Sequence, residues 1–285
     1  MLVAFLAARE NRNMRGAEPL LTPTLIIVCV VMALAAAAVN RLVLNGSAWA
    51  APSAAGRAAL QLAAVSTVLA VALQQVWSSM LVLLVMFIVA SITAARRSQA
   101  RHGAGWLAVA LAAGMVVVIP LLTLSGVVPF VGVAVVPVFG IVLGGTMTAS
   151  AVAARRALDA LSQRAGEVEA ALSLGLSERF SRMLVIDRQL SDALLPNLDQ
   201  ARTAGLVTLP GAFVGVLLAT GSAAQAAAVQ VLILVSLLLA QVCGVAAVGE
   251  LVVRGKIMRP KDAIAPPNGA APIVALARRL GLVRP

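Results

Sequence analysis

The sequence predicts an all-α polytopic integral membrane protein with about seven transmembrane helices, the N-terminus outside and the C-terminus cytoplasmic. Three observations carry this. Of the 285 residues, 61% are hydrophobic and only 12% charged, with a mean hydropathy of +1.00, whereas soluble domains run near a quarter charged. A soluble fold of this length has no place to hide that much apolar surface. Apolar runs approaching the ~20 residues that cross a bilayer recur along the chain. Finally, the basic residues fall into alternate connections between those runs, as the positive-inside rule requires.

The runs are Pro23–Val39, Ala58–Leu73, Ser79–Ala95, Trp106–Leu124, Val131–Ala153, Ala204–Ala219 and Ala226–Val248. The second and sixth are short, and Pro210-Gly211 marks the sixth as broken or re-entrant. The first connection holds Arg41 and Arg57, and the third holds Arg96, Arg97 and Arg101. The fifth, Ala154 to Thr203, carries every other charge of the middle of the chain. The tail adds Arg254, Lys256, Arg259 and Lys261. The connections Gln74–Trp77, Ser125–Pro129 and Thr220–Gln225 carry no charge. Arg9, Arg12 and Arg15 oppose the resulting orientation, and Glu10 and Glu18 partly offset them. Residues 1–20 read as an N-terminal extension, either an interfacial segment or the product of a wrongly assigned start upstream of Met14. Residues 21–253 form the membrane domain and 254–285 a cytoplasmic tail, in which Ile273–Val283 suits a short basic helix at the membrane surface.

The net charge of +11 is read as topology rather than nucleic-acid binding, because the arginines do not gather on one stripe. Cys29 and Cys243 lie inside apolar runs without metal-ligand spacing. Catalytic motifs are missing. The Gly255-Lys256 pair is followed by Ile257 where a P-loop needs Ser or Thr. His102, the sole histidine, sits beside arginines in a connection.

The long fifth connection is amphipathic. Val168, Leu172, Leu176, Phe180 and Met183 recur at helical spacing, Gly175 interrupts the run, and Ser177 suits the N-cap of a second helical piece. This makes residues 154–203 either a docking surface or a helix resting on the membrane. Within the spans, Gln61 and Gln230 are costly in hydrocarbon and serve as interhelical glue or as cargo contacts. Met147, flanked by Thr146 and Thr148, is the one thioether singled out as a metal-ligand candidate. Pro137, Gly140, Gly144, Pro210 and Gly211 are positions for helix breaks or close helix packing.

The string Glu169-Ala170-Ala171-Leu172-Ser173-Leu174-Gly175 resembles the Glu-Ala-Ala-x-x-x-Gly coupling motif of ABC-transporter membrane subunits. The wider stretch is similar to the FetB-type permease family, iron-exporting ABC permeases related to plant aluminium-sensitivity permeases. It comprises Ile186-Asp187-Arg188, Leu195-Pro196, Asp199, Ala201-Arg202 and Gly205 through Pro210-Gly211 to Gly215. Gly56-Arg57 to Gln61, Pro137 to Met147, and Gln230 add to it, over about Leu21 to Val253. Gly145 departs from the bacterial pattern, which carries Asn there. The resemblance implies a permease subunit in the bacterial inner membrane that pairs with a second copy of itself. Two copies of a cytosolic ABC ATPase would bind ATP and magnesium, while this chain binds no cofactor and is no enzyme. Glu169, Ala170, Ala171, Gly175 and Leu176 would couple to the ATPase. Gln61, Thr146, Met147 and Gln230 would line the route of iron, another metal or another small cargo. An ion-coupled secondary carrier and a non-transporting assembly or sensor protein are the alternatives. The first of these needs an intramembrane ion site, and the sequence has no acidic residue between Glu18 and Asp159.

Overall fold

A computed structural model describes residues 23–43, 46–72, 76–129 and 131–259. Residues 1–20 and the segment Ile273–Val283 lie outside the described residues. The chain divides into two units, Met1–Val71 and Ala72–Pro285.

The first unit holds α1 (Pro23–Leu42) and α2 (Ala50–Ala72). Between them the chain wraps around Asn40, whose side-chain amide donates to the Ser47 carbonyl at 2.9 Å. Its own carbonyl accepts from the Gly46 N–H at 2.9 Å. α2 begins eight residues before the expected Ala58. Pro52 is tolerated there because the first helical turn has no internal use for an N–H. Arg57 lies within the helix: a charge marks the edge of hydrocarbon, not the edge of a helix.

The second unit is a helical bundle. α3 (Val76–Ser98), α4 (Leu107–Leu124), α5 (Gly132–Gln163) and α10 (Ala223–Val253) form its core. The short α6 (Ala165–Ser173), α7 (Glu178–Asp192) and α8 (Leu195–Thr203) follow α5, and α9 (Gly211–Thr220) precedes α10. α5 and α10 pack most extensively and run in the same direction, because Gly145 meets Leu237 and Gln241 while Ser150 meets Gly244. α4 runs against them: Gly114 lies at Ala240 and Ala110 at Gly244. A Cβ on Gly114 would stand 2.5 Å from the Ala240 carbonyl oxygen. Backbone-to-backbone contact of this kind is how small residues bring membrane helices together.

Five described helices are long and apolar enough to cross a membrane: Thr24–Leu42, Trp77–Ser98, Ala104–Leu124, Ala134–Gln163 and Ala223–Val253. The sixth run is broken at Pro210-Gly211, as its sequence suggests. Ala204–Pro210 is an irregular turn, and the helix that follows has only 10 residues, about 15 Å of rise against the ~30 Å of hydrocarbon. Pro210, extended at ψ 150°, starts it and cannot donate to a preceding turn. A correction concerns α5, which continues ten residues past the expected Ala153 to Gln163. With 32 residues it is about 48 Å long, against the ~30 Å of hydrocarbon. The helix also runs through Pro137 without interruption.

All the charged connections of the second unit gather at one end of the bundle. The Arg101 and His102 N–H groups donate to the Met258 carbonyl, both at 3.2 Å, and the Met258 N–H returns a bond to His102 at 3.1 Å. The Arg259 guanidinium bonds Asp159 of α5 and the Gln99 carbonyl. Lys256 caps the Trp106 ring at 5.7 Å from its centroid, a cation–π distance. This clasp ties the α3–α4 turn, α5 and the end of α10 together.

Candidate functional site

The clasped end presents the strongest candidate surface. α6 carries Glu169 and Ala170 exposed, with Ala171 turned into the protein. Its end is dictated by Gly175. The Leu176 N–H donates to the Ala171 carbonyl at 3.2 Å and the Gly175 N–H to Leu172 at 2.9 Å. This is the paired bonding of a Schellman cap, which demands a left-handed residue. Gly175 supplies it at φ +84°, and no atom lies within 4 Å of where its Cβ would be. The glycine is therefore required for conformation, not for space. Leu174 and Leu176 stand exposed beside it, an apolar knuckle that the fold does not cover among its described residues.

The start of α6 is pinned. Arg164 Nε donates to Glu167 at 2.6 Å, and Arg164 also reaches the Val185 carbonyl of α7 at 3.2 Å. The hydrogen bond from Arg164 holds the Glu167 carboxyl below the usual carboxylate range. α7 starts where sequence reasoning places it, on Ser177, whose hydroxyl accepts the Phe180 N–H at 3.4 Å. α7 is in turn tied to α10: Arg179 grips Glu250 through Nη2 and Nε, at 2.7 and 3.1 Å, and Arg254 joins from one turn on at 2.6 Å. A bidentate guanidinium–carboxylate pair fixes orientation as well as proximity. Between α6 and the clasp lies a groove of about 560 Å³, lined by Val168, Glu169 and Leu172 on one side and Ile257, Met258 and Arg259 on the other.

The Glu250 grip makes α7 and α10 one mechanical piece. Replacing Glu250 with Gln should loosen α7 without unfolding the bundle. The measurable result is faster amide exchange in Glu178–Asp192 than in α4; unchanged exchange would show that packing alone holds α7.

Of the expected pathway residues, three lie in the second unit. Gln61 belongs to the first unit, where it is exposed on α2. Thr146 is fully buried; its hydroxyl donates to the Val142 carbonyl at 2.7 Å, and its methyl fills the space beside Gly114 and Gly244. Met147 is half-buried against the core cluster. Gln230 lies in the first third of α10 with its Oε1 unpartnered. Among the glycines, Gly140 receives the Met86 methyl, whereas Gly144 and Gly211 face open space.

Sequence reasoning passed over Gln241 and Ser150 as site residues. Both are completely buried between α5 and α10. A signal was present: Gln241 follows Gln230 by eleven residues, three helical turns, so the two share a face. Ser150 likewise follows Thr146 by one turn.

The model of the uncharacterised protein family UPF0014 matches residues 21–256. The chain is 33% identical over 220 residues to "UPF0014 membrane protein STAR2" of Oryza sativa subsp. japonica, covering 75% of each chain. It is 30% identical over 181 residues to "Protein ALUMINUM SENSITIVE 3" of Arabidopsis thaliana, covering 62% of this chain and 66% of the relative. It is 29% identical over 188 residues to "Probable iron export permease protein FetB" of Escherichia coli K12, covering 64% of this chain and 72% of the relative. No solved structure matches the chain.

Proposed function

The chain belongs to the UPF0014 family, and from that premise we propose that it is the membrane-spanning permease subunit of an ABC transporter that exports iron or another metal from the cytoplasm. The carrying observation is α6. It is a short helix with an exposed apolar end, cut by a Schellman glycine and bolted through α7 and Glu250 to the end of the longest buried helices. Such a part suits the receipt of force from a separate ATPase. Work delivered at Leu174–Leu176 passes through Arg164 into α7 and through Arg179 into α10, which packs along α5 and α4. The similarity to a relative named as an iron export permease supports the cargo class.

In this reading two copies of the chain face each other in the bacterial inner membrane. The clasped end lies in the cytoplasm, following the arginine bias. ATP and magnesium are bound by two copies of the partner ATPase. The exposed apolar faces of α1, α3 and α4 meet lipid or the second copy.

Proteoliposomes holding the chain and its ATPase should move ferrous iron on addition of MgATP. Iron movement driven by an ion gradient with the ATPase left out would instead identify a secondary carrier and overturn the proposal. An introduced thiol at position 174 should react only with reagents on the ATPase side.

A further inference from the structure

The clasped end carries more positive charge than the carboxylates beside it can balance. Arg96 and Arg97 close α3, Arg101 follows in the turn, and Arg155 and Arg156 stand on α5; all five are exposed. Asp159 is the sole acidic residue between Glu18 and Glu167. It is bonded to Arg259 and lies 3.9 Å from Arg155. Arg96, Arg97, Arg101 and Arg156 pair with no carboxylate among the described residues.

Topology asks only for positive charge on this side. It does not ask for unpaired guanidiniums at one depth on two adjoining helices, and that is the arrangement. α3 and α5 pack together and run the same way: Gly140 receives the Met86 methyl, and further on Arg259 joins the Gln99 carbonyl to Asp159. From Trp77, exposed at the opposite end of α3, to Arg96 is nineteen residues. Their rise of ~29 Å matches the ~30 Å of hydrocarbon. Counted from the Met86–Gly140 contact, Arg97 lies eleven residues on, ~16 Å, and Arg155 fifteen on, ~22 Å. The ~6 Å between them is within the ~5–8 Å depth of a headgroup layer.

Both pairs of arginines cap apolar faces that look outward. Ile88 and Ile92 precede Arg96 at four-residue spacing, and all three are exposed. Ile141 and Thr148 precede Arg155 at seven-residue spacing and are exposed as well. Acyl chains lying along the isoleucines bring their headgroup to the guanidiniums.

We propose that Arg96, Arg97, Arg155 and Arg156 bind the phosphate of an acidic phospholipid, held as a discrete ligand on the outer face of α3 and α5. The guanidinium fork matches phosphate oxygens two at a time, and basic sites between membrane helices suit such headgroups. A second copy of the chain is the other candidate for this face. A two-fold contact centred here would set arginine against arginine. The lipid is independent of the cargo, so the inference stands or falls apart from the permease reading.

The test is native mass spectrometry of the full-length chain with phosphatidylglycerol and with phosphatidylethanolamine of the same acyl chains. Phosphatidylglycerol should bind more tightly. Arg97→Gln and Arg155→Gln should each weaken it about fivefold, the loss of one basic contact to an anionic headgroup. Arg188→Gln, which removes an exposed arginine of α7, should change nothing. Equal affinity for the two lipids, unaltered binding in the first two variants, or an equal loss in all three overturns the proposal. So does displacement of the lipid by inorganic phosphate at the lipid's own concentration, which would mark a site for free anions. A dimer that dissociates in Arg97→Gln while lipid binding holds overturns it too and assigns the face to a second copy. Should a variant fail to fold, the unaltered chain still decides. Phosphatidylglycerol carrying a photoreactive headgroup should label the peptides around Arg97 and Arg155, and labelling confined to other segments removes the site.

Discussion

A Gly103→Val variant should lose the native bundle, whereas Gly126→Ala should barely change it. Both glycines are left-handed, at φ +71° and +72°, so backbone conformation alone would treat them alike. Their surroundings differ. A Cβ at position 103 would overlap the Lys256 carbonyl oxygen, and a backbone atom cannot swing aside. At position 126 nothing lies within 4 Å. The expected cost at Gly126 is therefore the left-handed penalty of about 1 kcal/mol. At Gly103 that penalty joins a backbone clash and, with a β-branched side chain, reaches about 3 kcal/mol or more. The clash acts on the strand-like pairing of His102 with Met258, which holds the end of α10 against the α3–α4 turn. Thermal denaturation of the purified protein in detergent, followed by size-exclusion chromatography, reads the difference. Equal midpoints for the two variants would mean that the clasp contributes nothing.

The clasp also shows what the sequence conveys and what it does not. Hydropathy and arginine placement report where hydrocarbon ends, and they located the apolar runs of α1, α3, α4, α5 and α10. They say nothing of where a helix ends, so α5 emerges ten residues longer than expected and α2 eight residues earlier. Local chemistry was readable where one residue decides it: Ser177 caps α7 and Gly175 stops α6. The sites that depend on distant parts meeting were not. Gly103 reads as an ordinary loop glycine until Lys256 arrives from the far end of the chain. Arg259 reads as a topology charge, yet it pairs with Asp159, one hundred residues away. Gln241 was visible as a polar residue in an apolar run. That its amide meets Gly145 of α5 is something no spacing rule reveals.

Gly175→Glu should separate stability from coupling. The Schellman cap needs a left-handed residue at this position, and any L-residue pays about 1 kcal/mol for adopting it. No neighbour is displaced, because the space around the missing Cβ is open. The bundle should therefore stay folded, with a melting point only slightly lowered. The change falls on what α6 presents outward. The new carboxylate stands between Leu174 and Leu176, which are 82% and 38% exposed, and converts an apolar knuckle into a charged one. If that knuckle seats in the ATPase, burying an unpaired charge there forfeits the contact. ATPase stimulation by the permease and iron export should then both fall by about tenfold or more. Gly175→Asn, which tolerates the left-handed region and adds no charge, should recover most of the activity. Full ATPase stimulation by Gly175→Glu would remove α6 from the coupling path. Loss of activity in both variants to the same degree would instead place the requirement on the glycine backbone rather than on the charge, and the two outcomes are distinguished in a single turnover assay.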